Sequence, residues 1–410
     1  MHEEPSPRPV ISATLPETEH APQQRAAGRL TELDILRGFL LLWMTLTHLP
    51  TKASIISNQT FGFVSGAEGF IFLAAFMMGQ LEHRIEQKHG WSGTMRDLRK
   101  RTLRVYLYHC GLLAIAFTLV SEIGVRFQRE ALMNLLSYYH SSPKEAIIAA
   151  VLLEYRPSLL DILPMYVIFM LLTPLARAIA RRWSWDPVIY ISIGVWIAAQ
   201  FGLRGWLYRQ GDLFGLSVPE TSTGAFDLYA WQLLWMVGLA LGSIYADVVS
   251  GEASSATRRE AHIPAWVLRL SIALAVCFLC LRYMPLDRWI QPDVYGWLID
   301  KWHLGPARVI NFSAMAIVLV RYGARIANLA VFKPLVLLGQ ASIEVFSVHV
   351  LCCIAGDALS HEADPNLPWP EQTVLLIVTI TALFVTGWLR RKSKAAEKKS
   401  LEAPAAAGSH

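Results

Sequence analysis

The chain has 410 residues, of which 54% are hydrophobic and only 17% are charged, and its mean hydropathy is +0.37. A soluble domain carries about a quarter charged residues, so this composition excludes an ordinary soluble protein and indicates a membrane protein. The net charge of +5 is explained by basic loops, so no nucleic-acid partner is needed to account for it. All five cysteines lie in apolar runs, where a thiol behaves as a small hydrophobe, and we expect neither a disulfide framework nor a metal site.

The first 30 residues are polar and rich in proline, alanine and glutamine, which predicts a disordered cytoplasmic tail. Ten hydrophobic segments follow, each close to the length of about 17 to 25 residues that crosses a bilayer. They predict an all-α, multi-pass membrane protein with a ten-helix domain over residues 31–392 and a second cytoplasmic tail over residues 393–410. The segments are 33–51, 61–82, 102–121, 158–180, 186–203, 226–247, 264–283, 305–322, 333–356 and 371–390.

Lysine and arginine are concentrated in the segments that face the cytoplasm if the N-terminus lies inside, so both termini are predicted to be cytoplasmic. The loop 122–157 then faces outward. Its apolar piece, residues 146–155, is too short to cross the bilayer and is either interfacial or re-entrant. Aromatic residues of the outer loops, such as Trp206, Trp289 and Trp302, fit either an interfacial belt or a platform for sugar rings.

The first span carries three ionisable side chains, Asp34, Arg37 and His48, at a depth where such groups are costly and often functional. At about 100° per residue, Arg37 and His48 share one face of the helix and lie roughly 16 Å apart along its axis. Asp34 is one turn before Arg37, so we expect the two to pair near the inner end of the helix. His48 is left near the outer end, without a partner in its own helix.

The second span carries Glu68 at a depth that we expect to match that of His48. The connection between the two spans is short, so their helices are predicted to be antiparallel neighbours and the two side chains to meet. A carboxylate that fixes the imidazole tautomer leaves the other ring nitrogen able to take a proton from a hydroxyl. The alternative is a buried polar pair that only joins two helices. The presence of Asp34, Arg37 and His48 in one span favours catalysis.

Basic residues are predicted to gather at the inner end of the first span. Arg37 is expected to lie near Arg84 and near a cytoplasmic loop at residues 99–104, where cations could hold the phosphates of an acyl-CoA or nucleotide donor. Topology alone explains a basic inner loop, but it does not explain Arg37 inside a span. We therefore predict a donor site formed by Asp34, Arg37, Arg84 and Arg104.

Several runs occur together in the order typical of a known family. They are ELDILRGFLLLWMTLTHLP (32–50), NQTFGFVSGAEGFIFLAAFMMG (58–79), LDILPMYVIFMLLTPL (160–175), AFDLYAWQLLWMVGLALG (225–242) and PLVLLGQASIEVFSVHVL (334–351). In these runs the chain resembles the OpgC family, membrane succinyltransferases that modify osmoregulated periplasmic glucans, within the wider acyltransferase-3 type of membrane acyltransferases. The superfamily pattern of an arginine, ten residues and a histidine falls on Arg37 and His48, and the resemblance implies that His48 lies at the acyl-transfer centre.

Other polar residues inside the predicted spans fit the same cavity, as an acceptor site or as its lining. They are Asp161, Tyr166, Trp231, Gln232, Gln340 and Glu344. Glu344 is the most costly of them to bury, so we expect it to face the interior of the bundle. His349 is more typical of a helix–helix contact than of a catalyst.

Residues and resemblance together predict an O-acyltransferase of the bacterial inner membrane with His48 and Glu68 as catalytic residues. It would transfer a succinyl or other short acyl group from cytoplasmic acyl-CoA, succinyl-CoA first, to hydroxyls of periplasmic glucans. Its partners would be the bilayer, the glucan and acyl-CoA as co-substrate, with no permanently bound cofactor. An acetyltransferase for another envelope glycan and a transporter or flippase are the alternatives. Ionisable residues crowd into the first two spans instead of recurring in both halves, which favours an enzyme.

Overall fold

The computed structural model describes residues 31–212, 218–251, 263–360 and 367–407, and every regular element within those ranges is a helix. The tail predicted at residues 1–30 lies outside the described residues. The long helices are α1 (Thr31–His48), α2 (Gly66–Ile115), α3 (Ile162–Arg182), α4 (Trp185–Gln200), α5 (Leu228–Ser250), α6 (Ala265–Arg282), α7 (Pro306–Ala327), α8 (Ser342–Leu359) and α9 (Trp369–Ala407). Short helical segments connect them: Ala53–Ser57, Ala116–Val120, Ser121–Arg126, Glu130–Leu135, Ser137–Ser141, Pro143–Val151, Leu203–Asp212, Glu220–Ser222, Leu286–Arg288, Pro292–Ile299, Ala330–Leu335 and Val336–Gln340.

Within the described ranges, seven helical stretches are long and apolar enough to cross a membrane, or eight if α4 and the short helix after it form one bent span. These two helices meet at an angle of 81°. Helix α1 is not among the seven, and its first two turns hold Glu32, Asp34 and Arg37. The prediction of an all-α, multi-pass membrane protein is confirmed, whereas the total of ten spans and the side on which the termini lie stay predictions.

Helix α2 has 50 residues and is broken at Gly90, where φ is 64° and ψ is −174°. Side chains disfavour this backbone conformation, and glycine adopts it readily. The predicted second and third spans are the two halves of this one element. The basic segment at residues 99–104 is therefore helical, and its prediction as a loop is wrong, because Arg, Lys and Leu are good helix formers and nothing in the segment ends the helix.

The first half of α2 packs closely against α5 in the centre of the bundle. A Cβ on Gly242 would lie 2.0 Å from the carbonyl oxygen of Phe76, and one on Gly79 would lie 2.3 Å from that of Leu239. The two backbones touch at these points, as small residues allow in membrane helix pairs. Beside this contact Trp235 is fully buried and donates its indole N–H to the hydroxyl of Thr173 in α3, 3.1 Å away.

Helices α6 and α7 lie at the edge of the bundle. Only 6% of the apolar stretch of α6 and 11% of that of α7 is buried within the protein. Their exposed side chains include Leu270, Val276, Ile310 and Val320. Apolar faces without a protein partner are what a helix needs where it contacts lipid, since its backbone groups are satisfied internally.

The connection from α1 to α2, residues 49–65, folds back along the C-terminal half of α1. The indole N–H of Trp43 donates to the carbonyl of Ser57, 2.5 Å away. A Cβ on Gly66 would lie 2.8 Å from Cγ of Met44 and 3.3 Å from the carbonyl oxygen of Leu40. Helix α2 therefore begins opposite the middle of α1 rather than beside its C-terminal end.

Candidate active site

Two histidines from helices distant in sequence meet inside the bundle. His48 is the last residue of α1, and its Nδ1 lies 3.4 Å from Nε2 of His349, which is 301 residues away and 1% exposed. The ring centroids are 5.4 Å apart at an interplanar angle of 30°. On its other side, Nδ1 of His349 lies 3.5 Å from Sγ of Cys353, one turn along α8. These contacts hold both imidazoles in fixed orientations.

The histidines meet because α1 is closely packed along the α8 side of the bundle. A Cβ on Gly339, just before α8, would lie 1.9 Å from the carbonyl oxygen of Asp34. A Cβ on Gly38 would lie 2.1 Å from the carbonyl oxygen of Leu335. Backbones this close leave no room for a side chain or a lipid between them, so the glycines fix the position of α1 against the segment that leads into α8.

Glu68 has partners other than the predicted one. It is fully buried near the start of α2, where its Oε1 accepts from Nε of Arg308, 2.8 Å away, and from Nη2 of the same guanidinium. Its Oε2 accepts from the backbone N–H and the hydroxyl of Ser65, at 2.9 and 2.6 Å. The predicted meeting of Glu68 and His48 is corrected, because α2 begins beside Met44, and His48 lies four residues, or about 6 Å, further toward the C-terminal end of α1.

Arg308 explains why a carboxylate can be buried at this depth. It lies near the start of α7, is fully buried, and neutralises Glu68 through two hydrogen bonds to one oxygen. One turn later the side-chain carbonyl of Asn311 accepts from the N–H of Phe63, 2.8 Å away. The α1–α2 connection is thus tied to α7 by side chains, since a buried charge is stable only when it is paired and hydrogen-bonded.

Charged side chains from three segments that are predicted to face outward form a second group, which we call the outer polar cluster: Arg156, Asp161, Asp227, Lys301 and His303. Arg156 interacts electrostatically with Asp161 and Asp227, and His303 lies 4.0 Å from Asp227. Lys301 interacts with Asp161 and with the Glu68–Arg308 pair. Its charge also acts on His48, so the cluster adjoins the two histidines.

Burial shifts the ionisation of this cluster. It raises the pKa of Asp161 to about 6, although the N–H of Ala225 and the charge of Arg156 oppose the shift. Burial lowers the pKa of Arg156 to about 10, and nearby Arg204 lowers it further. The pKa of His303 is raised mainly by its hydrogen bond to the Asp300 carboxylate, 2.7 Å away. The outer polar cluster can therefore change its charge within the physiological pH range.

The predicted donor residues do not converge on one place. Arg37 lies 5.9 Å from the ring centroid of Phe70, which is near the start of α2. Arg84 is 14 residues beyond Phe70 in the same helix, or about 21 Å away along the axis. Asp34 accepts from Nε2 of Gln340, 3.3 Å away. Pairing between Asp34 and Arg37 stays a prediction.

Arg104 lines a separate groove of about 520 Å³ between the second half of α2 and α8, together with Lys100. Apolar side chains form most of the groove wall, including Leu107 and Leu351. Arg104 is therefore beside an apolar groove, and the structure does not place it with Arg37.

The predicted cavity residues divide into two groups. Asp161 belongs to the outer polar cluster, and Tyr166 donates to the carbonyl of Phe70, 2.9 Å away, beside Arg37. Gln232 joins α5 to α4 through two hydrogen bonds with Ser192, at 2.6 and 2.8 Å, and its place in the cavity stays a prediction.

Trp231 and Glu344 also differ from expectation. The indole N–H of Trp231 donates to the carbonyl of Trp302, 3.0 Å away, so it supports the outer loop. The sequence predicts that Glu344 faces the bundle interior, but its Oε1 lies 2.8 Å from Nε of Arg390 in α9, and both side chains are partly exposed. The nearby basic residue makes this position less costly than a fully buried one.

Three residues of the site were missed or undervalued in the sequence. The sequence pattern of His349 is typical of a helix contact, and the site predicted from the sequence includes neither Arg308 nor Lys301. The signal for Arg308 was present, because an arginine inside an apolar stretch needs an acid to pair with. The signal for Lys301 is weak, since a lysine in an outer loop is ordinary.

These features define an integral membrane protein whose helices enclose a histidine pair next to a charged outer cluster. The OpgC protein family matches residues 29–395, nearly the whole chain, and the chain belongs to this family. Membership implies an acyltransferase-like membrane enzyme for periplasmic glucans. No curated protein and no solved structure matches the chain significantly.

Proposed function

We propose that this protein is an O-acyltransferase of the bacterial inner membrane, with ten spans and both termini in the cytoplasm. It transfers a succinyl or other short acyl group from cytoplasmic acyl-CoA to hydroxyls of periplasmic glucans. One observation supports this most: the contact of 3.4 Å between His48 and His349, at the outer end of α1 and beside the outer polar cluster. A base at this place can serve a donor from one side of the membrane and an acceptor from the other.

His48 is the proposed general base. A sugar hydroxyl is a weak nucleophile, and a positioned base contributes about 10²–10⁴-fold to such a reaction. Nε2 of His48 takes the hydroxyl proton while the sugar oxygen bonds to the thioester carbonyl carbon. The carbon–sulfur bond then breaks, and the proton passes from His48 to the departing CoA thiolate. The products are a glucan ester and free CoA.

His349 is the proposed positioning residue for His48. If Nδ1–H of His48 donates to Nε2 of His349, then Nδ1–H of His349 donates to Sγ of Cys353. In this arrangement Nε2 of His48 carries the lone pair that a base requires. His349→Ala should lower kcat and alter its pH profile with little change in KM, and His349→Gln should recover part of the rate because it keeps a hydrogen-bonding group.

The donor is proposed to enter from the cytoplasm and to approach Arg37. A guanidinium suits phosphate or carbonyl oxygens better than an ammonium does, because it offers paired donors in one plane. Arg37→Ala should therefore weaken acyl-CoA binding, and Arg37→Lys should recover only part of it. Unchanged donor affinity in a folded Arg37→Ala protein would return Arg37 to a structural role.

Mass spectrometry of periplasmic glucans tests the function directly. Cells with the wild-type protein should produce glucans that carry an acyl increment, and cells with His48→Ala should not, although the variant still inserts and binds acyl-CoA. His89→Ala, a change at an exposed histidine of α2, is the control and should leave the increment in place. Unmodified glucans in all strains, or full modification with His48→Ala, would contradict the proposal.

A further inference from the structure

The turn at residues 300–305 between the helix Pro292–Ile299 and α7 is held rigidly. The backbone N–H of Trp302 donates to the Asp300 carboxylate, 2.7 Å away, and the N–H of Gly305 donates to the Asp300 carbonyl, 2.8 Å away. Groups from neighbouring segments bind the carbonyls of this turn. They are the indole N–H groups of Trp196 and Trp231, the side-chain amide of Gln200 and the N–H of Asp227. Lys301 therefore projects from a fixed backbone.

The ammonium group of Lys301 is partly enclosed by aromatic rings. It lies 4.9 Å from the ring centroid of Trp302 and 5.9 Å from that of Phe226. Burial lowers the pKa of Lys301, and the charges of Glu68 and Asp161 oppose this shift. Within the described part of the chain, no carboxylate forms a salt bridge with Lys301. A cation in this position is ready to accept an anionic ligand group.

The acids that interact with Lys301 are already occupied. Both oxygens of Glu68 are taken, one by Arg308 and the other by Ser65. Asp161 accepts from the backbone N–H of Ala225, 3.3 Å away. The charge of Lys301 nevertheless acts on His48, so the ammonium lies within the electrostatic range of the proposed base. A ligand that reaches His48 can present a carboxylate to Lys301.

We propose that Lys301 binds the distal carboxylate of the acyl group, so that the enzyme selects dicarboxylic acyl donors. This inference rests on the proposed acyl transfer. In a succinyl thioester the carboxylate is two methylene groups beyond the reacting carbonyl. With the carbonyl at His48 and CoA on the inner side, the distal carboxylate points outward, toward the outer polar cluster to which Lys301 belongs. Lys301 is thus a specificity residue and takes no proton in the reaction.

Donor selectivity of the purified full-length protein in lipid nanodiscs tests this role. Succinyl-CoA and butyryl-CoA have the same chain length and differ in the distal carboxylate. Lys301→Met should lower kcat/KM for succinyl-CoA by about 30-fold or more, the effect of losing one partner of a desolvated charge pair, and should leave that for butyryl-CoA nearly unchanged. Lys301→Arg should recover part of the selectivity.

Lys52→Met is the matched control, because Nζ of Lys52 lies 4.7 Å from the ring centroid of Trp369 in a similar cation–ring contact at the outer side. It should not change the ratio between the two donors. An equal loss with both donors, or a rise in acceptor KM alone, would assign Lys301 to fold or acceptor and overturn the inference while acyl transfer stands. If the wild type transfers neither acyl group, the proposed function fails. In that case, equal affinity of the wild type and Lys301→Met for succinyl-CoA would also exclude Lys301 as a carboxylate-binding residue.

Discussion

The buried Glu68–Arg308 pair should show strong coupling in stability measurements. Both side chains are fully buried, and Nε of Arg308 lies 2.8 Å from Oε1 of Glu68. Two unit charges about 4 Å apart interact by roughly 4 kcal/mol at an effective dielectric constant of about 20. Removing one partner of a buried pair typically costs about 3–5 kcal/mol. Glu68→Gln alone should cost this much, because it leaves the buried Arg308 without its carboxylate and removes the negative charge that acts on nearby Lys301.

The double variant Glu68→Gln with Arg308→Met should be far more stable than the sum of the single losses implies, because it removes both charges together. Unfolding by SDS in mixed micelles, followed by tryptophan fluorescence, gives the free energies of unfolding. Glu344→Gln is the control, since its pair with Arg390 is partly exposed and should be worth less than about 1 kcal/mol. Additive losses in the double variant, or a loss with Glu68→Gln no larger than the control, would refute the reasoning.

Three further predictions concern topology, packing and pH. A reporter active only in the periplasm should give signal when fused after Lys52 and none after Arg96; the reverse would overturn the proposed orientation. Gly339→Ala should destabilise the protein by about 2 kcal/mol or more because its Cβ meets backbone, whereas Gly323→Ala, with open space around it, should not; equal melting temperatures would contradict this. Burial raises the pKa of Asp161 from 3.8 to about 6, so the folded state holds its proton longer and stability should fall as pH rises from about 4 to 6. Asp161→Asn should remove that decrease, and an unchanged pH profile would exclude Asp161 as its source.

The membrane class and the helices could be predicted from sequence because the length of each apolar stretch matches the thickness of the bilayer, and this length can be read from one stretch at a time. The choice of His48 as a candidate catalytic residue follows from the same rule, since an ionisable group inside an apolar stretch needs a reason to be there. The sequence of one helix does not show which other helices it contacts. His48 contacts His349, which is 301 residues away in sequence. This contact depends on close backbone packing at Gly38 and Gly339, and a single sequence does not show that these glycines are contact points.

Depth was the second quantity that the sequence could not supply. Counting residues from the predicted ends of two spans placed Glu68 level with His48. The count assumed that the connection between the spans lies outside the membrane, but the Trp43–Ser57 hydrogen bond draws it back along α1. Glu68 therefore pairs with Arg308, 240 residues away in sequence, instead of with His48.

The infolded connection at residues 49–65 also has an electrical consequence. It brings polar backbone to the level of Trp43, and with the proposed topology this makes the insulating layer between the two aqueous sides thinner here than the roughly 30 Å of bilayer hydrocarbon. The membrane voltage falls across that thinner layer, and a unit charge that crosses all of it changes energy by about 2.3 kcal/mol per 100 mV. In the proposed reaction of a bacterial inner-membrane enzyme, the cytoplasmic side is negative, so an acyl group with a distal carboxylate moves with the voltage as it passes outward. A neutral acyl group gains nothing from the same field.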